Sequence, residues 1–243
     1  LQCSAGVPKR VADGINIFPG DTSLYDWTGF VPFEELPFEF NPERGYVSSA
    51  NNKTVPGDYS WYIGYWYAMP DRIDRIREML EETEKLSVED FCRIQSDFKS
   101  KKAEKWIPEL LAALKSESEW NATERRALEK LKNWDFKMGS ESQAASIFEI
   151  IYRKTGENMI KDEIPAPLFE QFISESILIE NLNNNILSDK SSPWIDDIST
   201  PVKESFNDMV IKAFKETVDE LSDICGKDPD NWQWGKLHTF TLS

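Results

Sequence analysis

The 243 residues are enough for one large domain or two small ones, and 40% hydrophobic with 29% charged residues is an ordinary globular balance. A net charge of −15 repels phosphate backbones, so nucleic acid is a poor partner, and no apolar run is long enough to cross a bilayer. Three scattered cysteines (Cys3, Cys92, Cys225) without a CxxC pair and the single His238 argue against a disulfide scaffold, a zinc cluster or a paired-imidazole site.

In chain order, residues 1 to about 68 are rich in Pro, Gly, Asn and aromatics and lack a helical period. Pro19-Gly20-Asp21, Asn41-Pro42 and Pro56-Gly57-Asp58 carry turn chemistry, so extended strands and ordered loops are expected here. A strand such as Gly45 to Ala50 would need a partner from outside this stretch. From 69 to 243 the pattern is helical. Ile73, Ile76, Met79 and Leu80 share a face, and Ser87 with Asp90 resembles a capping box before Phe91, Ile94 and Phe98. Ala103, Trp106, Ile107, Leu110, Leu111 and Leu114 form the next stripe, which Pro108 should kink or restart. Asn121 with Glu124 caps a helix bearing Leu128 and Leu131; Phe148, Ile151 and Tyr152, then Phe169, Phe172 and Ile173, mark two more. Thr200-Pro201 reads as a helix start, followed by Phe206, Met209, Val210, Ala213, Phe214 and Leu221, with a stop near Gly226. Cys92 and Cys225 fall in helical patterns and read as small core residues. The fold class is therefore mainly α, with an irregular, β-containing segment in front.

Few residues carry chemistry on local grounds. Asn51 follows the strand-like Tyr46-Val47-Ser48-Ser49, and its amide is a neutral donor suited to an oxyanion; a turn asparagine is the plainer alternative. Arg72 opens a helix and could clamp a carboxylate or orient an amine, or simply pair with Asp71 or Asp74. Asp26-Trp27, Glu34-Glu35 and the aromatics from Trp61 to Trp66 suit a groove for a sugar or an aromatic ligand, or plain packing.

Six ordered motifs narrow these choices. They are Gly6-Val7-Pro8-Lys9-Arg10; Trp27 through Pro37 (WTGFVPFEELP); Asn41-Pro42-Glu43-Arg44-Gly45-Tyr46 leading to Ala50-Asn51-Asn52; Asp71-Arg72-Ile73-Asp74-Arg75-Ile76; Pro193-Trp194-Ile195-Asp196-Asp197; and Trp232-Gln233-Trp234-Gly235-Lys236-Leu237-His238. In this order and spacing they resemble the middle of the β subunit of the penicillin acylase family, the N-terminal-nucleophile amide hydrolases of αββα fold. The resemblance implies hydrolysis of a linear amide, such as a β-lactam side chain or an acyl-homoserine lactone. The nucleophile would be a serine exposed by self-cleavage, acting with its own α-amine as base. Asn51 would donate to the oxyanion, Asn52 would support it, and Arg72 would orient the nucleophile's amine or its neighbours.

Leu1 has no nucleophilic side chain and Ser4 lies too far downstream to replace the family's serine. The expectation is thus an internal piece of the β subunit, inactive alone, whose partners are the α subunit and the rest of the β subunit, with a small acyl amide as substrate and no membrane. Many relatives hold calcium with ligands from other segments. The position near Tyr59 to Trp61 bears no carboxylate, so no metal or other cofactor is expected in this chain, although the full-length parent could hold calcium. The start of the chain shows no signal peptide; the resemblance suggests a periplasmic or secreted parent. His238 belongs to the last motif and reads as a buried, hydrogen-bonded structural imidazole. The competing readings are a non-catalytic helical interaction module and a carbohydrate-binding protein.

Overall fold

A computed structural model describes residues 6–13 and 15–241. Leu1, Cys3 and Ser4 lie outside the described residues. The chain divides into two compact units, one ending at Leu86 and the other beginning at Ser87. The first helix therefore goes with the aromatic segment, and the break falls later than the change in sequence texture at 68/69.

The first unit has little regular structure. A bridge joins Pro8 to Phe30, where Val31 N donates to Val7 O and Lys9 N to Gly29 O, both at 2.8 Å. The first two family-like motifs are thus paired with each other. Val7, Val31 and Leu36 bury together with Trp61 against them. The stretch from Gly45 to Ala50, expected as a strand, has no ladder partner among the described residues. Helix α1 (Asp71–Leu80) ends the unit and buries Ile73 and Met79.

The second unit is a helical bundle around one apolar core. It contains α2 (Val88–Gln95), α3 (Lys101–Leu114), α4 (Ala122–Lys132), α5 (Gln143–Ile160), α6 (Ala166–Ser174), α7 (Ser176–Ser188), α8 (Phe206–Cys225) and the single turn α9 (Trp234–Leu237). Helices α5 and α8 pack along one another at the centre, with α3 on α8 and α4 and α7 on α5. The stripes anticipated on α3 and α8 are the buried ones: Ala103, Trp106, Ile107, Leu110 and Leu114 face Met209, Val210, Ala213, Phe214 and Leu221 within this core. Pro108 neither ends nor restarts α3; it sits on the exposed side while its neighbours Trp106, Ile107 and Leu110 are buried, so packing overrides its intrinsic cost.

Three expectations need correction. Helix α8 starts at Phe206, because Ser205 and Asp208 form its capping box, while Thr200 Oγ1 donates to Val202 O and Glu204 Oε1 inside the preceding loop. Helix α2 does begin with the Ser87–Asp90 box, yet it buries nothing, and Phe91 and Phe98 are about half exposed. Cys92 is accordingly exposed rather than core, and Cys225, at the end of α8, is half-buried. An eight-residue helix with one narrow apolar stripe cannot bury it without a neighbour on that side.

Candidate functional site: the Asn51–Arg72 clamp

The site is built from backbone geometry upward. Residue Asn51 adopts a left-handed conformation, φ 62°, one that Asn tolerates better than other non-glycine residues. Three bonds hold that turn. Ala68 N donates to Asn51 O at 2.8 Å, closing the 52–67 loop at its neck. Ala50 N donates to Asn52 Oδ1 at 3.1 Å, and Asn52 Nδ2 donates to Lys53 O at 2.8 Å. Asn52 is buried and its side chain staples the backbone on both sides of Asn51. Asn52 thus holds the turn that carries Asn51.

Arg72 reaches the same turn from the start of α1. Its Nη2 donates to Asn51 Oδ1 and to Ala50 O, each at 2.9 Å. Neither Asp71 nor Asp74 takes this guanidinium; its acceptors are an amide oxygen and a backbone carbonyl. Because arginine has donors only, the Asn51 amide must present its oxygen to Arg72. The amide nitrogen then points away with no protein acceptor among the described residues, on an exposed side chain. A neutral N–H₂ donor is fixed in direction by a charged neighbour and left free to bind an oxygen. That is the hydrogen-bonding requirement of an oxyanion donor.

Two of the carboxylates that could serve a sugar site, Glu35 and Glu39, are engaged in separate local networks. Glu35 Oε2 accepts from Trp61 Nε1 at 2.6 Å, and its backbone carbonyl accepts from Tyr59 OH at 2.6 Å. Glu39 pairs with Arg44, and Glu34 is exposed in a short 3-10 turn, Phe33–Glu35. Tyr46, whose phenol donates to Glu81, is held above its ordinary pKa by burial first and then by that bond. Around residues 59–61 the side chains are a phenol, a hydroxyl and an indole, and two of them donate to Glu35. A calcium ion needs anionic or carbonyl oxygen, so these side chains do not fit one. No group of three or more Asp, Glu, His or Cys gathers to hold a metal among the described residues.

The two motifs in the later sequence have structural explanations within the second unit. Ile195 is buried, Asp196 Oδ1 accepts from Glu204 N at 2.9 Å, and Asp197 bonds Ser199 and Lys212, which ties the loop down before α8. Trp232 is fully buried with its indole donating to Gly226 O at 2.7 Å, and Trp234 N and Gly235 N donate to Ser142 O and Ser140 O. A Cβ at 235 would sit 2.9 Å from Ser140 Cβ, so glycine permits that approach. His238 is exposed and not buried as expected; its ring stacks on Trp234, centroids 4.8 Å apart and nearly parallel. Helix α9 is too short and too near the surface to enclose an imidazole.

Comparison with known proteins agrees with these motifs. The family model described as penicillin amidase matches residues 1–243. An acyl-homoserine lactone acylase, QuiP, of Pseudomonas syringae pv. tomato is 25% identical over 245 residues, 95% of this chain and 30% of that protein. The penicillin acylase 2 proenzyme of Pseudomonas sp. (strain SE83) is 31% identical over 150 residues, covering 61% of this chain and 19% of that protein. A thermostable penicillin G acylase from Alcaligenes faecalis shares the fold with a TM-score of 0.68 at 16% identity, over 95% of this chain and 46% of that one. The chain thus spans about a third of the length of the curated relatives it matches. It belongs to the penicillin amidase family.

Proposed function

We propose that this chain supplies the oxyanion-stabilising part of an acylase that hydrolyses linear amide C–N bonds. What supports the reading is the free amide nitrogen of Asn51, aimed by the guanidinium of Arg72. As a nucleophile adds to the substrate carbonyl, negative charge grows on the carbonyl oxygen. Asn51 Nδ2 donates to that oxygen without changing its own charge, and Arg72 stops the amide from turning over. The fixed donor costs little reorganisation at the moment of reaction. Arg72 acts here as a positioning residue, and its charge lies one bond further out.

The attacking group is an N-terminal serine contributed from outside these residues, so the chain alone has no turnover. Its partners are the α subunit and the remaining β subunit of the same precursor, together with a small acyl amide. The acyl-homoserine lactone and penicillin acylase names of its relatives set the substrate range to be tried. No nucleic acid, membrane or cofactor takes part through this chain; any calcium in the full-length parent is ligated elsewhere. A periplasmic or secreted location goes with the same reading.

The test is Asn51→Asp in the mature protein that carries this chain, assayed on phenylacetyl amides and acyl-homoserine lactones. Aspartate still accepts from Arg72 but has no N–H₂. A fall in kcat of about a hundredfold or more, with KM nearly unchanged, is expected. A variant with parental kcat would sink the proposal.

A further inference from the structure

A second feature of the first unit has no part in the clamp. A cleft of about 230 Å³ opens beside the same turn, walled by Arg44, Lys53 and Arg77 and by the polar side chains of Ser48 and Asn52; its one carboxylate is Glu39. Such a grouping runs against the average of a chain with 28 Lys and Arg to 43 Asp and Glu. Arg44 is held in advance: its Nη2 pairs with Glu39 at 2.5 Å and its Nε donates to Tyr46 O at 3.0 Å. Glu39 is thereby neutralised. Lys53 and Arg77 line the same cleft and make no ion pair among the described residues. The Ser48 hydroxyl is buried without a hydrogen-bond partner among the described residues, a state that an acceptor in the cleft would relieve.

Size and charge together choose the ligand. The volume is below the range of drug-sized pockets, so a single small group fits. Three cations against one already paired carboxylate call for an anion, and a planar carboxylate can accept from a guanidinium and an ammonium at once. We propose that this cleft is a carboxylate-binding subsite, holding the carboxylate of a small organic acid. That acid is either free or part of a larger amide substrate. The site does not depend on Asn51 being catalytic, because binding requires only the cleft.

Isothermal titration calorimetry of the protein carrying this chain with sodium phenylacetate, and with neutral 2-phenylethanol as control, tests the proposal. Saturable binding of the acid and not of the alcohol is expected. The double variant Lys53→Gln/Arg77→Gln should weaken it about tenfold or more, while Lys53→Arg retains it. Circular dichroism guards against loss of fold. No saturable binding of phenylacetate, or equal affinity in parent and double variant, overturns the subsite. The source of the carboxylate is separated by steady-state kinetics on N-phenylacetylglycine and its methyl ester. A KM raised for the acid alone in the double variant assigns the cleft to substrate. Unchanged KM values, with phenylacetate binding still weakened, assign it to free acids. Failure of the amidase reading would appear as no turnover in either protein and would leave the titration intact.

Discussion

The two units of this chain are stabilised in different ways. From Ser87 onward the core is continuous and apolar, and its largest members, Trp106, Phe148, Phe214 and Trp232, are fully buried. Up to Leu86 the described residues form only small patches of burial, and Trp27, Phe30, Phe33, Phe38, Phe40 and Trp66 are more than half exposed. Order there comes from polar bonds: Asn52 to the backbone on both sides of Asn51, Arg72 to Ala50 and Asn51, and Tyr59 and Trp61 to Glu35. Directional bonds can aim an amide, which non-directional apolar packing cannot. The weakly packed unit is therefore the one with a geometry suited to chemistry, and the well-packed unit carries most of the hydrophobic stabilisation.

Matched truncations give the largest effect. Phe214 is fully buried against Trp120, with ring centroids 5.2 Å apart. Phe214→Ala should lower unfolding free energy by about 3–5 kcal/mol, read by urea denaturation at a helical circular dichroism signal. Phe40 is 81% exposed, and Phe40→Ala should change the same transition by no more than about 0.5 kcal/mol. Comparable losses from the two would erase the distinction drawn between the units.

Overpacking comes next. A Cβ at Gly156, on α5, would lie 2.8 Å from Ile179 Cγ2 and 3.1 Å from Asn183 Oδ1, both on α7. Gly156→Ala favours the helix intrinsically by about 1 kcal/mol, yet the clash should outweigh this and leave a net loss of about 1–3 kcal/mol. A gain in midpoint would mean that α7 can back away, and that the bundle is less tightly fitted than its burial implies.

How far the sequence could be read follows the same division. Helical periodicity located the stripes of α3, α5 and α8 because their buried residues recur every three or four positions over several turns. The Ser87–Asp90 and Asn121–Glu124 boxes were local and could be seen directly. The start of α8 was misplaced because Thr200-Pro201 and Ser205-Asp208 are both plausible starts, and only the loop's own bonds decide between them. In the first unit nothing local pairs Asn51 with Arg72, 21 residues away; the motif resemblance singled out both, while their contact depends on the fold. The cleft had no signal at all. Arg44, Lys53 and Arg77 sit at irregular intervals and become a group only when the turn at Asn51 and helix α1 bring them together.

The smallest effect concerns the caps of the second unit. Asp208 at the third position of α8 accepts from Ser205 Oγ at 2.6 Å and from Ser205 N at 2.9 Å. The side-chain bond from Ser205, followed by the backbone bond, holds its carboxyl below the usual aspartate range. A carboxyl with a depressed folded pKa binds its proton more weakly in the folded than in the unfolded chain. Its contribution is therefore fully present above the unfolded value of about 4 and is lost as pH falls through the lower, folded value. Asp208→Asn should flatten that part of the stability–pH curve while leaving neutral-pH stability within about 1 kcal/mol. The effect must be small, since the carboxylate is largely solvated and screening weakens it. Ser205→Ala removes the stronger bond and should flatten the curve in the same direction. If urea midpoints of parent and Asp208→Asn fall in parallel from pH 5 to pH 3, the box does not set the acid sensitivity of α8. Carboxylates tied to lysine and arginine across the bundle, such as Glu220 with Lys154 and Arg153, then become its source.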